Sequence, residues 1–146
     1  MNNCFIILAA GESKRFKSKT PKPYYLYRGK PLFLHSVNKA KESNKFSKIV
    51  LVINKKHKKL IKNIKLKSVK IIIGGKNRSE SSLKALKSII NNKISKVFIH
   101  DAARPNFSLK LISIFSSNVF FKKLWITVVD NSRATRGCKL TDLPCH

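Results

Sequence analysis

The alternation of short apolar runs with amphipathic stretches is the feature that most restricts how this chain can fold. The runs at 4–9, 48–53, 69–73 and 96–100 are continuously apolar, as strands buried on both faces of a parallel sheet are. Apolar residues recur at helical spacing in the segments 31–42, 55–64, 79–90 and 108–120. This βαβαβαβα order predicts an α/β fold, a three-layer sandwich with a mainly parallel sheet and right-handed crossovers.

The length and the N-terminus limit where such a chain can work. With 146 residues and 42% hydrophobic content, the chain is long enough for one domain with an apolar core. The apolar runs are far shorter than the ~20 residues that cross a bilayer, and the N-terminus has no secretory signal pattern. The three cysteines have no metal-ligand spacing, and their odd number is a poor disulfide framework. We expect a cytoplasmic protein with no membrane partner.

The formal charge of +26, from 32 basic and 6 acidic residues, raises nucleic acid as a partner, since basic proteins gain affinity by neutralising phosphates. The excess consists mostly of lysine, 26 against 6 arginines, and it is scattered through every segment. Diffuse charge supports nonspecific attraction and not a defined nucleic-acid reader. We interpret the lysines as solvated surface and expect no specific nucleic-acid partner.

Ligands of parallel α/β sheets bind at the carboxyl ends of the strands, and three loops expected there carry unusual residues. In the first loop, residues 9–23 after the first strand, Gly11 can adopt dihedrals closed to other residues. The loop is neither a Walker A loop nor a G-x-G-x-x-G loop, because Phe16 stands where both require a glycine. An ordinary turn with surface lysines is the alternative. In the functional interpretation, the small residues of the loop, Ala9, Ala10 and Gly11, allow close backbone approach to a triphosphate. Its cations Arg15 and Lys22 can reach phosphate oxygens.

The second and third loops follow the third and fourth strands. The second, 74–82, opens a helix, so its backbone N–H groups and the positive end of the helix dipole can hold polar ligand groups. Ser79 or Ser81 could instead be only an N-cap. The third loop, His-Asp-Ala-Ala-Arg-Pro, combines the carboxylate of Asp101 with the cation of Arg104. The alternative to a functional role there is an internal ion pair between these two residues.

The three motifs LAAG...R...PK, GG..R...S and HDAARP, in this order, resemble the methylerythritol phosphate cytidylyltransferase family and the related ribitol phosphate cytidylyltransferases, over about residues 4–120. The resemblance implies a Rossmann-like sandwich of the nucleotide-diphospho-sugar transferase type. It also implies that a phosphate oxygen of the acceptor attacks the α-phosphorus of CTP and expels pyrophosphate. The expected substrates are CTP and a sugar-alcohol phosphate, namely 2-C-methyl-D-erythritol 4-phosphate, with ribitol 5-phosphate as the alternative acceptor.

The resemblance also implies roles for individual residues. Arg15 and Lys22 match the family's two catalytic cations, which stabilise charge on the nonbridging oxygens of the transition state. Asp101 matches the aspartate near the metal and the reacting phosphates, consistent with Mg²⁺. Arg78 and Arg104 either support the loops by ion pairs or contact phosphates. The positions that match the family's CTP-binding residues are Ala9, Ala10, Gly11, Gly75, Ser81 and Ala102.

Composition divides the chain near residue 125. From Ile126 onward there is one lysine in 21 residues, against 25 in the preceding 125. Family chains continue with another strand, an arm that reaches across a homodimer, and segments that bind the acceptor phosphate, and those motifs do not follow Trp125. We therefore expect residues 1–125 to form an incomplete, C-terminally truncated nucleotidyltransferase domain and residues 126–146 to be an atypical tail, not native to the gene. An inactive CTP-binding fragment is the alternative to an active enzyme.

Overall fold

The structure, a computed structural model, describes residues 2–13, 16–90, 93–117 and 126–130. Two short segments in these ranges are 3-10 helices, Lys22–Tyr24 and Lys55–His57. The strands and α-helices of these ranges are, in chain order, β1 (Asn3–Ala9), β2 (Leu26–Tyr27), β3 (Lys30–Pro31), α1 (Leu32–Glu42), β4 (Lys48–Ile53), α2 (Lys58–Ile61), β5 (Val69–Ile73), α3 (Arg78–Lys87), β6 (Lys96–Asp101), α4 (Leu109–Ser117) and β7 (Ile126–Asp130).

Strand β1 lies in the middle of the main sheet, whose order is β5-β4-β1-β6-β7. The pairings of β1 with β4, β1 with β6 and β4 with β5 are parallel, and β7 runs antiparallel to β6. Strands β2 and β3 form a separate antiparallel hairpin. The predicted α/β fold with a mainly parallel sheet is therefore confirmed.

The side chains of β1 point alternately to the two sides of the sheet, and both sides are buried. Phe5 and Ile7 pack on one side, in a cluster with residues of α1 and α4, such as Phe33 and Ile112. The neighbouring side chains of β1 pack on the other side, with Ala85 of α3 among their contacts. Each fully buried apolar side chain stabilises the fold by roughly 1.5–3 kcal/mol relative to an exposed one. The sheet thus lies between two helical layers, as the sequence predicts.

Two elements differ from the sequence prediction. The helix expected at 55–64 is a 3-10 turn followed by the short α2, because the side chain of Asn54 accepts the Lys56 N–H and caps the tighter turn. Strand β5 was expected to be buried, but it is the strand beyond β4, with Ile71 and Ile73 each more than 40% exposed. A strand with one sheet neighbour receives less cover than a central strand.

Strand β7 lies in the segment 126–146, which composition sets apart from the rest of the chain. Its residues pair with β6 from Ile126 opposite His100 to Asp130 opposite Lys96. The origin of this segment stays a prediction. Across the described ranges, none of the helices combines the length and the apolar content needed to cross a membrane.

Candidate functional site

The carboxyl ends of β1 and β6 form a topological switch point. From β1 the chain crosses to β4 and β5 on one side, and β6 then returns to the other side of β1. Ligands of open parallel sheets bind in the crevice at such a point. The first and third predicted loops lie on its two sides, and the Ala102 N–H donates to the Leu8 carbonyl at 3.0 Å. These two loops are therefore joined through their backbones.

The second predicted loop reaches the same place, although β4 lies between β5 and β1. A Cβ atom added to Gly74 would lie 2.7 Å from the Cβ of Ala10 and 2.7 Å from the Oγ of Ser81. Only glycine permits this approach without a shift of its neighbours. On the other side of β1, the Nε of Arg78 donates to the Oδ1 of Asp101 at 3.2 Å. The structure therefore brings all three predicted loops together.

A capping arrangement fixes the second loop at the start of α3. The N-cap is Asn77, whose Oδ1 accepts the Glu80 N–H at 2.8 Å. The alternative that Ser79 or Ser81 is the N-cap is wrong. The Oε2 of Glu80 accepts the Lys76 N–H at 2.8 Å, and this hydrogen bond, followed by the one from Lys84, lowers the pKa of Glu80. The carboxylate thus ties the loop to the helix that it opens.

The buried side chain of Ser81 forms a hydrogen bond with the backbone of the glycine pair, Gly74 and Gly75. It is 3% exposed, and its Oγ accepts the Gly75 N–H at 3.0 Å. A Cβ atom on Gly75 would collide with the side chain of Glu80. Gly74 and Gly75 are therefore both in close contact with α3, and Gly74 also lies against Ala10 at the end of β1.

In the first loop, Ser13 and not Gly11 takes the left-handed conformation. Ser13 has φ of 53°, whereas in the described residues the glycine with positive φ is Gly29. The Oγ of Ser13 accepts the backbone N–H of Lys22 at 3.0 Å, which links the two ends of the loop. Gly11 thus does not use the dihedrals that glycine alone can adopt, and a Cβ atom there would meet nothing within 4 Å. Gly11 borders open space, where a ligand can approach its backbone.

Lys22 begins a single 3-10 turn whose other two residues are buried. Its side chain is exposed, while the next two residues, Pro23 and Tyr24, are buried. The Tyr24 O–H donates to the Ala9 carbonyl at 3.1 Å, and burial raises the pKa of this phenol. The other predicted catalytic cation, Arg15, lies outside the described residues. The lysine is thus attached to the end of β1 through Tyr24.

The loop after β4 is a fourth part of the site, which the sequence reasoning missed. The Asn54 Nδ2 donates to the Ala10 carbonyl at 3.4 Å. The ring of His57 packs edge-on against Tyr24, with centroids 5.1 Å apart, and partial burial lowers the pKa of His57. A usable indication was present, because Asn54 directly follows a parallel strand and so lies at the same sheet edge.

Asp101 connects the third loop to the second. Its ion pair joins it to Arg78 across the two loops, whereas the Arg104 N–H donates to the Asp101 carbonyl at 3.1 Å. The alternative of an internal pair between Asp101 and Arg104 is therefore replaced by a pair between loops. Because the Arg78 side chain is 55% exposed, this pair contributes at most about 1 kcal/mol to stability.

Acidic groups around the crevice are each matched by a cation in the described residues, while Lys22 forms no ion pair there. Lys22 therefore gives the crevice an excess of positive charge, which suits a ligand carrying several negative charges. The matched pairs are Glu12 with Lys56, Glu80 with Lys84 and Asp101 with Arg78.

The mainly parallel sheet, with a crevice at its switch point, places this chain in the class of Rossmann-like α/β domains. The sequence profile of the IspD family, 2-C-methyl-D-erythritol 4-phosphate cytidylyltransferase, matches residues 3–117. The chain belongs to this family, and the resemblance noted from the three motifs is confirmed.

Two relatives match this chain over about three quarters of its length. Over 113 residues the chain is 66% identical to the bifunctional enzyme IspD/IspF of Pelagibacter ubique (strain HTCC1062), covering 77% of this chain and 30% of that protein. It is 36% identical over 116 residues to the 2-C-methyl-D-erythritol 4-phosphate cytidylyltransferase of Thermosipho melanesiensis, covering 75% and 51%. The chain thus spans about a third to a half of the length of these relatives.

Solved structures agree with the fold. The bifunctional IspDF of Campylobacter jejuni superposes with a TM-score of 0.70 at 30% identity, covering 82% of this chain and 31% of that one. The 2-C-methyl-D-erythritol 4-phosphate cytidylyltransferase of Francisella tularensis gives a TM-score of 0.64 at 30% identity, covering 80% and 52%.

Proposed function

We propose that this chain forms the nucleotide side of an enzyme that transfers CMP from CTP to 2-C-methyl-D-erythritol 4-phosphate and releases pyrophosphate. The observation that carries the proposal is the convergence of the three motif loops, through the contact of Gly74 with Ala10 and the ion pair of Arg78 with Asp101. Residues 1–125 contain these loops and form the nucleotidyltransferase portion, whereas residues 126–146 form the atypical tail, whose first five residues add β7 to the edge of the main sheet.

Each loop has a task in this reaction. The triphosphate lies along Ala9, Ala10 and Gly11, where the open space above Gly11 admits it. The cytosine and ribose lie beside Gly75 and Ala102, and Ser81 holds Gly75 in place through its N–H. The family relationship and the proximity of these residues at the switch point support these roles.

Lys22 acts on the reacting α-phosphate together with Arg15. A phosphate oxygen of the acceptor attacks the α-phosphorus, the bond to the leaving pyrophosphate breaks, and negative charge gathers on the nonbridging oxygens. Preorganised cations stabilise this transition state more than the ground state. The 3-10 turn and the hydrogen bond from Tyr24 to Ala9 preorganise the backbone at Lys22. In this proposal Arg104 of the third loop contacts a phosphate, and Arg78 supports that loop through its ion pair with Asp101.

The residues present fit a role for Mg²⁺. Asp101 offers a hard carboxylate oxygen at the crevice, and within the described ranges no three His, Cys, Asp or Glu side chains lie close enough together to hold an ion. Mg²⁺ at nucleotide sites typically takes one or two carboxylates, with phosphates and water as the other ligands. Bound there, Mg²⁺ would neutralise phosphate charge, and Asp101 would share its carboxylate between the ion and Arg78.

The test measures pyrophosphate release from CTP with either acceptor, alongside calorimetric CTP binding. Methylerythritol phosphate should support release and ribitol 5-phosphate should not. Lys22→Ala should lower turnover roughly 100-fold while changing CTP affinity much less, and Lys30→Ala, at an exposed lysine of β3, should change neither. Equal losses of turnover and affinity in Lys22→Ala would contradict its transition-state role. Binding without turnover would establish the inactive fragment instead.

The remaining expectations concern partners and location. We propose that the protein works in the cytoplasm, with small-molecule substrates and no specific nucleic acid. Sequence-dependent duplex binding that survives about 0.2 M salt would contradict this, because diffuse charge binds weakly and loses affinity over that range. The homodimer that the family resemblance implies stays a prediction, which analytical ultracentrifugation of the protein would test.

A further inference from the structure

The outer end of the third loop is held by a lysine from α1. The Nζ of Lys39 donates to the carbonyl of Pro105 and to the carbonyl of Phe107, each at 2.8 Å. The same ammonium lies 5.2 Å from the centre of the Phe107 ring, within cation–π range. Lys39 is partly buried, and these contacts span more than 60 positions of sequence. A cation thus clamps two carbonyls of one turn.

This clamp acts on the residues assigned to the nucleotide. The loop is already fixed at its inner end, where the Ala102 N–H donates to the carbonyl of Leu8 at 3.0 Å. At its outer end, the ring of Phe107 packs against His100, with centroids 4.6 Å apart, directly before Asp101. Movement of Phe107 would therefore be passed to Asp101 through His100 and along the intervening backbone.

We infer that Lys39 is a positioning residue for the nucleotide site, holding the loop from Asp101 to Phe107 so that it presents Asp101, Ala102 and Arg104 to the bound nucleotide. This inference rests on the proposed function, since it assumes that the loop contacts CTP. Its physical basis is the pair of charge-assisted hydrogen bonds, which are roughly twice as strong as neutral ones. Misplacement of a binding loop by about 1 Å is enough to reduce activity strongly.

The test compares Lys39→Met with Lys39→Arg and with Lys41→Met. Lys41 is a matched control, because it lies on the same helix and its Nζ also donates to a backbone carbonyl, that of Lys67 at 2.6 Å, outside the third loop. Calorimetry with CTP and Mg²⁺ gives the Kd, and pyrophosphate release gives KM and kcat. Amide hydrogen exchange of residues 102–107 without nucleotide reports the loop itself.

We expect Lys39→Met to raise the Kd and KM for CTP about 10-fold, with a smaller effect on kcat, and to speed exchange at 102–107. Lys39→Arg should keep the Kd, the KM and the exchange rates near those of wild type, since a guanidinium can donate to both carbonyls. Lys41→Met should match wild type. A Kd for Lys39→Met within about two-fold of wild type, or equal losses in both methionine variants, would overturn the inference.

Two further outcomes separate the inference from the function on which it rests. If wild-type protein binds no CTP, the proposed function fails, and the positioning role for CTP fails with it. If wild type binds CTP and Lys39→Met is unaffected, the inference alone fails. Should Lys39→Met not fold, Lys39→Gln takes its place, because its amide is uncharged and its side chain is one bond shorter, so the charge-assisted hydrogen bonds are lost. A wild-type Kd for this variant would equally overturn the inference.

Discussion

Replacing Gly74 by alanine tests whether the second loop really touches the end of β1. The added methyl group would lie 2.7 Å from both the Cβ of Ala10 and the Oγ of Ser81, and 3.2 Å from a methyl group of Val52. Optimal carbon contacts lie at about 3.5–4.0 Å, so the neighbours must move by roughly 0.8 Å. Ala10 directly follows β1, and Val52 belongs to β4. Both strands pack on other elements, so these two residues cannot move independently.

Two opposing effects determine how much the free energy of unfolding changes in Gly74→Ala. Overpacking of a closely packed site costs about 1–3 kcal/mol. Replacement of glycine by alanine also restricts the unfolded chain, which offsets about 0.4–1 kcal/mol. The expected net loss in the free energy of unfolding is about 1–2 kcal/mol, a fall in Tm of roughly 2–8 °C for a chain of this size. CTP binding should weaken as well, because Ala10 is displaced.

Gly11→Ala is the matched control. Its Cβ atom would meet nothing within 4 Å, and Gly11 does not have the positive φ that alanine resists. Calorimetric or urea unfolding should show a stability within about 0.5 kcal/mol of wild type, while CTP binding weakens because the methyl group enters the space assigned to the triphosphate. If Gly74→Ala unfolds at the wild-type temperature, the close approach of the second loop to β1 is refuted.

Two further changes test the start of α3. Asn77→Ala removes the oxygen that accepts the Glu80 N–H, so urea unfolding should show a loss of about 1 kcal/mol; no loss relative to Asn63→Ala, at an exposed position, would contradict the cap. Because hydrogen bonds lower the pKa of Glu80 below its ordinary 4.5, its stabilisation is present above that pH and disappears as the pH falls through the lower pKa of the folded state. Glu80→Gln should therefore flatten the acid side of the stability profile, and an unchanged profile would argue against this role.

The strands could be predicted from the sequence because a continuous apolar run has few other structures open to it. β1 and β4 begin and end within one residue of their predicted bounds, whereas the predicted helix 55–64 is replaced by a 3-10 turn and the four residues of α2. The difference comes from Asn54, whose side chain caps a tight turn. Such a cap competes with the helix locally, and apolar spacing does not record it.

The loops of the site could be predicted because parallel strands place their carboxyl ends together, but the contacts within the loops could not. Asn77, Ser79 and Ser81 are all good capping residues, and only the backbone geometry selects Asn77. The contact of Asn54 with Ala10 and the clamp of Lys39 on the third loop both end on backbone carbonyls. Backbone acceptors are the same at every position, so such contacts leave no pattern in the sequence.

Three consecutive backbone carbonyls at the end of β1 affect which ligands the crevice favours. Those of Leu8, Ala9 and Ala10 accept hydrogen bonds from Ala102, Tyr24 and Asn54 respectively, three segments far apart in the chain. Because each of these oxygens already accepts a hydrogen bond within the protein, it presents less negative charge to a ligand at the crevice. A surface of this polarity discriminates by the sign of charge, favouring polyphosphates over amines or hydrated cations. In the reaction proposed above, this polarity would favour the triphosphate of CTP independently of any contact with the base.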